Sequence, residues 1–269
     1  MNQKDLSGYQ AVILCGGQGT RLKGVSESLP KPLVDVGGKP ILWHIMKMYS
    51  SYGIRRFVLC LGYKADAIID YFENYHFHNH DFTMKLGFAE EKFFKNKESD
   101  DTDVDEWEIT FALTGENTMT GGRLKRIAPY ISEGLFFCTY GDGVSDVDIG
   151  ALYRFHEEKK LTATLTGVHL PTTFGIVEAD QSGAITSFRE KPVMSGRING
   201  GFFIFSHAIF DLIDGDDCVL EEMPFKRLVR EGQIRMYTHD GFWHCMDTFK
   251  DYASLNKMWS DKKAPWKIW

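Results

Sequence analysis

Residues 11–22 read AVILCGGQGTRL, and residues 30–32 follow as Pro-Lys-Pro. Ala11 to Cys15 form a short apolar run that stops at Gly16-Gly17, the pattern of a buried strand opening into a glycine loop. Glycines behind a strand let the backbone approach a ligand and turn its N–H groups toward phosphate. Arg21 adds a two-donor clamp for phosphate oxygens. Lys31 stands between two prolines, which stiffen the backbone and limit where its ammonium points. The stretch therefore predicts a phosphate site served by two cations, Arg21 and Lys31.

Two better-known phosphate motifs fit less well. A Walker A loop needs a Gly-Lys-Ser/Thr triplet after its spacer, and none follows Gly16 or Gly17. The dinucleotide fingerprint G-x-G-x-x-G is met by Gly17 and Gly19, but Leu22 stands at its third position. A dinucleotide-binding oxidoreductase or epimerase thus has two glycines in its favour and little else.

Outward from this stretch, strand and helix alternate. Pro40 to Tyr52 has apolar spacings of three and four and ends at Gly53, which predicts a helix with a proline start and a glycine stop. Arg56 to Leu61 predicts a strand and Ala65 to Tyr75 a helix. Leu135 to Tyr140 predicts another buried strand, broken by Gly141-Asp142-Gly143. Asp146 or Asp148 would cap a helix ending near Lys160, and Thr162 to Val168 is strand-like. Such alternation predicts an α/β fold with a doubly wound, mainly parallel mixed sheet. Ligands of such sheets sit beyond the carboxyl ends of strands, where Gly16-Gly17 and Gly141-Asp142 both fall. The second half is strand-richer, with strands expected at 175–179, 185–189, 200–205 and 234–239 and helices at 224–231 and 251–259.

Composition narrows the function classes. The chain has 269 residues, with 31 Lys plus Arg against 37 Asp plus Glu, a net charge of −6. That balance argues against nucleic acid as a partner but leaves room for a locally basic pocket. The 43% hydrophobic and 25% charged fractions suit a soluble globular domain. No apolar run approaches the ~18 residues of a membrane span, and Met1 to Gly8 lack a signal-peptide core, so no membrane association is expected. The five cysteines are scattered without a C-x-x-C pair, which suits reduced thiols, a cytoplasmic location and no zinc.

Other clusters carry less. Glu90 to Glu108 is acidic after Lys97 and predicts a surface insertion between strands. Asp101, Asp103 and Asp105 have calcium-loop spacing, but Glu106 replaces the required glycine and Ala112 the final glutamate. His76, His78 and His80 alternate as if along one face of a strand, without a nearby cysteine to suggest a metal.

The strand, GGxGTRL and Pro-Lys-Pro together strongly resemble the sugar-phosphate nucleotidyltransferases. Residues 39–49 (KPILWHIMKMY), 116–125 (ENTMTGGRLK), 139–148 (TYGDGVSDVD), 198–203 (INGGFF), 240–248 (DGFWHCMDT) and 264–269 (APWKIW) are similar to its glucose-1-phosphate cytidylyltransferase branch. The resemblance implies CTP + α-D-glucose 1-phosphate → CDP-glucose + pyrophosphate, feeding CDP-dideoxyhexose synthesis for lipopolysaccharide O-antigen. It also implies a Rossmann-like nucleotidyltransferase fold with a strand-rich sugar-binding extension, and a homo-oligomer. One domain over 1–269 is expected, with a nucleotide-binding half at about 10–150 and a sugar-binding and oligomerisation part at about 151–269. Another sugar 1-phosphate or pyrimidine nucleotide is the alternative within the class, and a catalytically silent sugar-nucleotide sensor stands outside it.

Residue chemistry agrees with that reaction. A sugar phosphate is already an ionised nucleophile, so the difficulty is bringing two anions together, which cations and a metal relieve. Arg21, Lys31 and Asp142 are the expected catalytic residues. Leu14, Cys15, Gly16, Gly17, Gln18, Gly19, Thr20, Thr118, Arg123 and Gly141 are expected to join them around the nucleotide. Thr118 and Arg123 offer acceptor and donor groups suited to cytosine, whereas uracil would leave one group unpaired. Asp142 and Asp247 suit Mg²⁺, which uses few protein ligands, and the resemblance assigns both to it. Each also has a plainer role available, as a turn residue and a helix cap respectively. By the same resemblance Tyr140, Glu190, Lys191, Asn199 and Gly200 hold the sugar phosphate. Cys15 departs from the alanine usual in this strand, and a thiol beside phosphates would be open to oxidation unless buried.

Overall fold

The run that opens the chain forms strand β1 (Gln10–Leu14), all of it buried. Ala11 and Ile13 pack into a core on one face, while Val12 and Leu14 enter a second core on the other. A strand covered on both faces needs apolar residues at every position, which is why the run shows no alternation. These features belong to a computed structural model that describes residues 5–17, 29–85, 90–94, 104–170, 174–192 and 196–269.

Six further strands complete one sheet: β2 (Arg56–Leu61), β3 (Glu108–Leu113), β4 (Leu135–Tyr140), β5 (Ala163–Val168), β6 (Ile198–Ser206) and β7 (Ile234–His239). Their order is β7-β5-β6-β4-β1-β2-β3. Every neighbouring pair is parallel except those made by β6, which runs against β4 and β5. The mainly parallel, doubly wound expectation therefore holds. Helices α1 (Ile41–Ser50), α2 (Ala65–Glu73), α4 (Ile149–Lys159) and α6 (Phe249–Ser260) cover one face. The other face takes α3 (Thr120–Arg126), α5 (Met223–Arg230) and a 3-10 turn at His207–Leu212. β1 is flanked by β2 on one side and β4 on the other. The crevice at its carboxyl end is thus the switch point of the winding, where open α/β sheets take ligands.

Local signals mostly act as expected. Pro40 precedes α1, and Gly53 closes the turn behind it at φ +94°. Asp148, of the two candidates, caps α4 by accepting from the Ala151 N–H. All ten residues of α1 are buried, including His44, whose pKa burial lowers to about 4. It stays neutral there, bonded at Nε2 to the Val36 carbonyl and faced at Nδ1 by Trp266 Nε1 at 3.4 Å. The C-terminal tryptophans thus close over α1.

Three expectations are refined. The surface insertion expected at 90–108 begins as a hairpin, residues 90–94 pairing antiparallel with 81–85, and it stops short of Glu108, which already begins sheet strand β3. Trp107 anchors that entry, donating to Ser50 Oγ at 2.6 Å and packing edge-on against Phe57. Asp101 and Asp103 lie outside the described residues. His76 belongs to a short helix at Tyr75–Asn79, with His80 capping it, so no strand face carries the histidines. Their rings sit 5.2 Å apart across one turn. The strand-rich second half splits, because β5, β6 and β7 extend the main sheet. The antiparallel hairpin Ile176–Ala179/Ile185–Arg189 stands apart, with nearly every residue exposed. Among the described residues, no helix is long and apolar enough to cross a membrane.

Candidate active site

Two adjoining cavities lie beyond the carboxyl ends of β1 and β4. The larger, about 390 Å³, is lined by Leu14, Cys15, Gly16, Gly17, Lys31, Pro32, Thr118, Met119, Thr120, Arg123, Tyr140, Gly141, Asp142 and Asp247. The smaller, about 200 Å³, is lined by Thr139, Tyr140, Asp142, Gly143, Asn199, Gly200, Phe202, Trp243, Cys245 and Asp247. Tyr140, Asp142 and Asp247 border both. Of the expected residues, Gln18, Gly19, Thr20 and Arg21 lie outside the described residues.

Asp142 and Asp247 meet because a short strand after each cavity wall pairs with the other. Gly143–Ser145 runs antiparallel to Trp243–Cys245, with Cys245 opposite Gly143 and the Met246 N–H bonded to the Asp142 carbonyl at 2.9 Å. Thr248, not Asp247, caps α6, in a reciprocal box with Asp251. Asp247 is left to face the cavity. Lys31, held in its Pro-flanked turn, lies between the two carboxylates, at 2.6 Å from Asp142 Oδ2 and 2.5 Å from Asp247 Oδ1. Burial opposes its charge, but the two carboxylates outweigh burial, and its pKa rises above the ordinary lysine value.

Two carboxylates aimed at one cationic group suit a divalent ion as well as an ammonium. Mg²⁺ keeps several waters and takes phosphate oxygens, so a pair of protein ligands is enough for it. Among the described residues, no group of three or more His, Cys, Asp or Glu converges to form a closed metal cage. The donor set fits an ion completed by substrate oxygens.

Arg123 is not the surface cation that its place in a polar block would suggest. It is 5% exposed and lines the larger cavity from α3. Its Nη1 donates to the Leu61 and Gly115 carbonyls and to Thr114 Oγ1, and its Nη2 donates to the Gly16 and Glu116 carbonyls. The guanidinium ties together the loops that end β1, β2 and β3. Gly16 is required for this contact: a Cβ there would lie 2.0 Å from Arg123 Nη1. Gly17 has no such neighbour and faces open space. Gly121 and Gly122 let α3 approach the 216–218 loop, whose backbone would sit 2.5–2.7 Å from added Cβ atoms. Cys15 is 1% exposed, and burial raises its thiol well above the usual range, so it is an inert core residue.

Asn199 and Gly200, expected at the sugar phosphate, line the smaller cavity. Asn199 Oδ1 accepts from the Gly201 N–H, its Nδ2 faces the Tyr140 hydroxyl at 3.3 Å, and Trp243 Nε1 donates to the Gly200 carbonyl. Glu190 and Lys191 line neither cavity. They end the exposed hairpin, are 60% and 61% exposed, and pair with each other at 3.3 Å. Glu221, which no sequence motif marked, stands behind the cavity wall and accepts from both Tyr140 and Thr120, which line it.

The nucleotidyl transferase family model matches residues 10–261. A glucose-1-phosphate cytidylyltransferase of Salmonella typhi is 46% identical over 97% of this chain and 99% of its own. A probable glucose-1-phosphate cytidylyltransferase of Bacillus subtilis is 40% identical over 97% of this chain and all of its own. Among solved structures, HddC from Yersinia pseudotuberculosis is 26% identical and superposes with a TM-score of 0.65 over 93% of this chain and 99% of its own; it has also been solved with GMP-PN. With a switch-point cavity, a lysine between paired carboxylates and full-length relatives of this similarity, the chain belongs to the nucleotidyl transferase family and, within it, to the glucose-1-phosphate cytidylyltransferases.

Proposed function

We propose that the protein transfers the cytidylyl group of CTP to α-D-glucose 1-phosphate, releasing pyrophosphate and forming CDP-glucose. One observation carries this most directly: the two cavities meet at Asp142 and Asp247, with the Lys31 ammonium between the carboxylates. CTP lies in the larger cavity, between the β1 glycines and α3, and the sugar phosphate enters through the smaller one. Its phosphate oxygen attacks the α-phosphorus in line, a new P–O bond forms, and the bond to the bridging oxygen of pyrophosphate breaks.

Lys31 and Arg21 offset the charge of the triphosphate, and Lys31 is preorganised by its two partners. Thr118 borders the base and Arg123 holds the loops around it. Asn199 and the Gly200 backbone meet the sugar, with Glu190 and Lys191 contributing from the hairpin. Asp142 and Asp247 would hold Mg²⁺, which when bound neutralises charge on the phosphates. No base is required, because the attacking phosphate is already ionised.

The protein works as one folded unit, its 10–150 half serving mainly the nucleotide and its 151–269 part mainly the sugar and self-association. Exposed Phe174, Ile185 and Phe188 on the hairpin support a homo-oligomer. Free cysteines, three of them buried, suit a reducing cytoplasm, where CTP is at hand. The product serves the building of bacterial surface polysaccharide. Pyrophosphate release across four nucleoside triphosphates and several hexose 1-phosphates tests the whole reading. CTP with glucose 1-phosphate is expected to give the highest kcat/KM, and a preference for another pair would overturn it.

A further inference from the structure

Glu221 lies outside every motif and lines neither cavity, yet it holds Tyr140, which borders both, and Thr120, which borders the larger. Its Oε1 accepts from the Tyr140 hydroxyl and its Oε2 accepts from Thr120 Oγ1 at 2.8 Å. Thr120 belongs to the wall of the larger cavity, and its oxygen in turn accepts from the Leu220 N–H at 3.0 Å. The carboxylate is thus braced from the nucleotide side. Tyr140 is fixed from every direction. Its ring lies against Gly201, where a Cβ would come within 2.5 Å of it, and edge-on against Phe203. Its oxygen faces Asn199 Nδ2 at 3.3 Å.

This arrangement sets a polarity. A phenol has one proton to donate and lone pairs to accept with. With the proton committed to Glu221 and one lone pair facing Asn199, what remains for a substrate is an acceptor. Burial and the neighbouring Glu221 both raise the Tyr140 pKa, so the phenol keeps that proton. A sugar hydroxyl can satisfy such an acceptor, whereas a phosphate oxygen would meet a second acceptor and be repelled.

We infer that Glu221 is a positioning residue for the sugar phosphate: by holding the Tyr140 proton it makes the shared wall of the two cavities an acceptor for a sugar hydroxyl. This rests on the proposed assignment of the smaller cavity to the sugar. The test is a double-mutant cycle on the full-length protein with Glu221→Met, which keeps most of the side chain's bulk but has no oxygen to accept the phenol proton, and Tyr140→Phe. KM is measured for each substrate with the other saturating.

Each single variant is expected to raise the sugar 1-phosphate KM by up to about tenfold, the upper end for one neutral hydrogen bond, with the CTP KM moving no more than about threefold. The double variant is expected to be no worse than the worse single one, since both remove the same interaction. Additive effects, an equal rise in both KM values, or an unchanged Tyr140→Phe enzyme would overturn the inference. If thermal melting shows Glu221→Met to be unfolded, Glu221→Asp, which keeps the charge and shortens the reach, takes its place in the same cycle. The wild-type substrate matrix is read separately. If another nucleotide or sugar phosphate is preferred, the proposed reaction falls, while the cycle run with that preferred pair still decides the role of Glu221.

Discussion

The walls of the site are built in two different ways. At the carboxyl ends of β1 and β4, Lys31 has 11% of its side chain exposed and is held by two carboxylates, and Arg123 is 5% exposed and bonded to four backbone carbonyls and a threonine hydroxyl. On the Ile176–Ala179/Ile185–Arg189 hairpin, Glu190 and Lys191 are more than half exposed and pair with each other. In the proposed reaction the rigid sheet ends carry the groups that must already be in place when charge moves on phosphorus, because preorganised charge needs no rearrangement during reaction. The proposed share of the hairpin is to engage a small charged substrate that must also enter and leave, which suits groups set out in solvent.

The largest effect should come from the buried side. Lys31→Met keeps the length of the side chain but leaves Asp142 and Asp247 facing each other and the phosphates without an ammonium. Turnover is expected to fall about a thousandfold, the scale of losing a preorganised charged donor. Steady-state kcat at saturating substrates reads this, and a fall of less than about tenfold would break the contrast between the two walls. The same variant isolates a pH effect. The folded-state pKa of Lys31 is raised, so its contribution to stability is fully present below the ordinary value of 10.5 and is lost as pH rises through the folded value. The stability difference between wild type and Lys31→Met should therefore be flat from neutral pH to about 10 and shrink above it, as urea midpoints at stepped pH would reveal.

Arg123→Ala comes next. It takes a donor from four loop carbonyls, of which those of Leu61 and Gly16 keep the Thr114 and Tyr63 N–H groups, unties the Gly115 and Glu116 turn from them, and opens a void against Gly16 and Gly62. A loss of about 3 kcal/mol in unfolding free energy is expected, which urea denaturation measures. A loss under about 1 kcal/mol would mean that the loops hold themselves and that the guanidinium serves the ligand alone.

These two residues also mark how far the sequence could be read. Ala11 to Cys15 and Lys31 were legible because their signals are local: an apolar run, a glycine pair, a lysine framed by prolines. The meeting of Asp142 with Asp247 was legible only through the family resemblance, since it depends on Gly143–Ser145 pairing with Trp243–Cys245, a contact across about a hundred residues that no spacing encodes. β3 was hidden because Glu108 opens it directly after an acidic stretch, and its apolar residues look like part of the insertion's end. α3 was hidden by Gly121-Gly122, which count against a helix by propensity but are needed for close packing on the 216–218 loop. Gly16 was read as a place where backbone approaches a ligand, whereas the group packed against it is Arg123, and only the fold could say so. Glu221 offered no signal, being one acid among several in 211–222.

On the hairpin side effects should be smaller and of another kind. Lys191→Ala removes an exposed cation, so stability should stay within about 0.5 kcal/mol while the KM for the sugar 1-phosphate rises about tenfold, as expected for one charge-assisted phosphate contact. An unchanged KM would remove the hairpin from the site and leave the smaller cavity to Asn199, Gly200 and Tyr140.

The smallest effect tests the hairpin itself. Phe188 is 63% exposed and lies one residue from Arg189, in a two-stranded unit that lacks a core of its own. Phe188→Ser should shift the unfolding free energy of the dilute protein by no more than about 0.5 kcal/mol, because little apolar surface leaves water there on folding. If the shift instead exceeds about 1 kcal/mol and shrinks on dilution, Phe188 is buried against a second copy, as the proposed homo-oligomer would require. Sedimentation over the same concentrations separates these cases. A concentration-dependent shift would move the hairpin from the solvent side of the comparison to the core side, as an element completed by its neighbour. A concentration-independent one would mean that the hairpin packs on its own sheet, and the distinction between a built-in wall and an outlying one would fail.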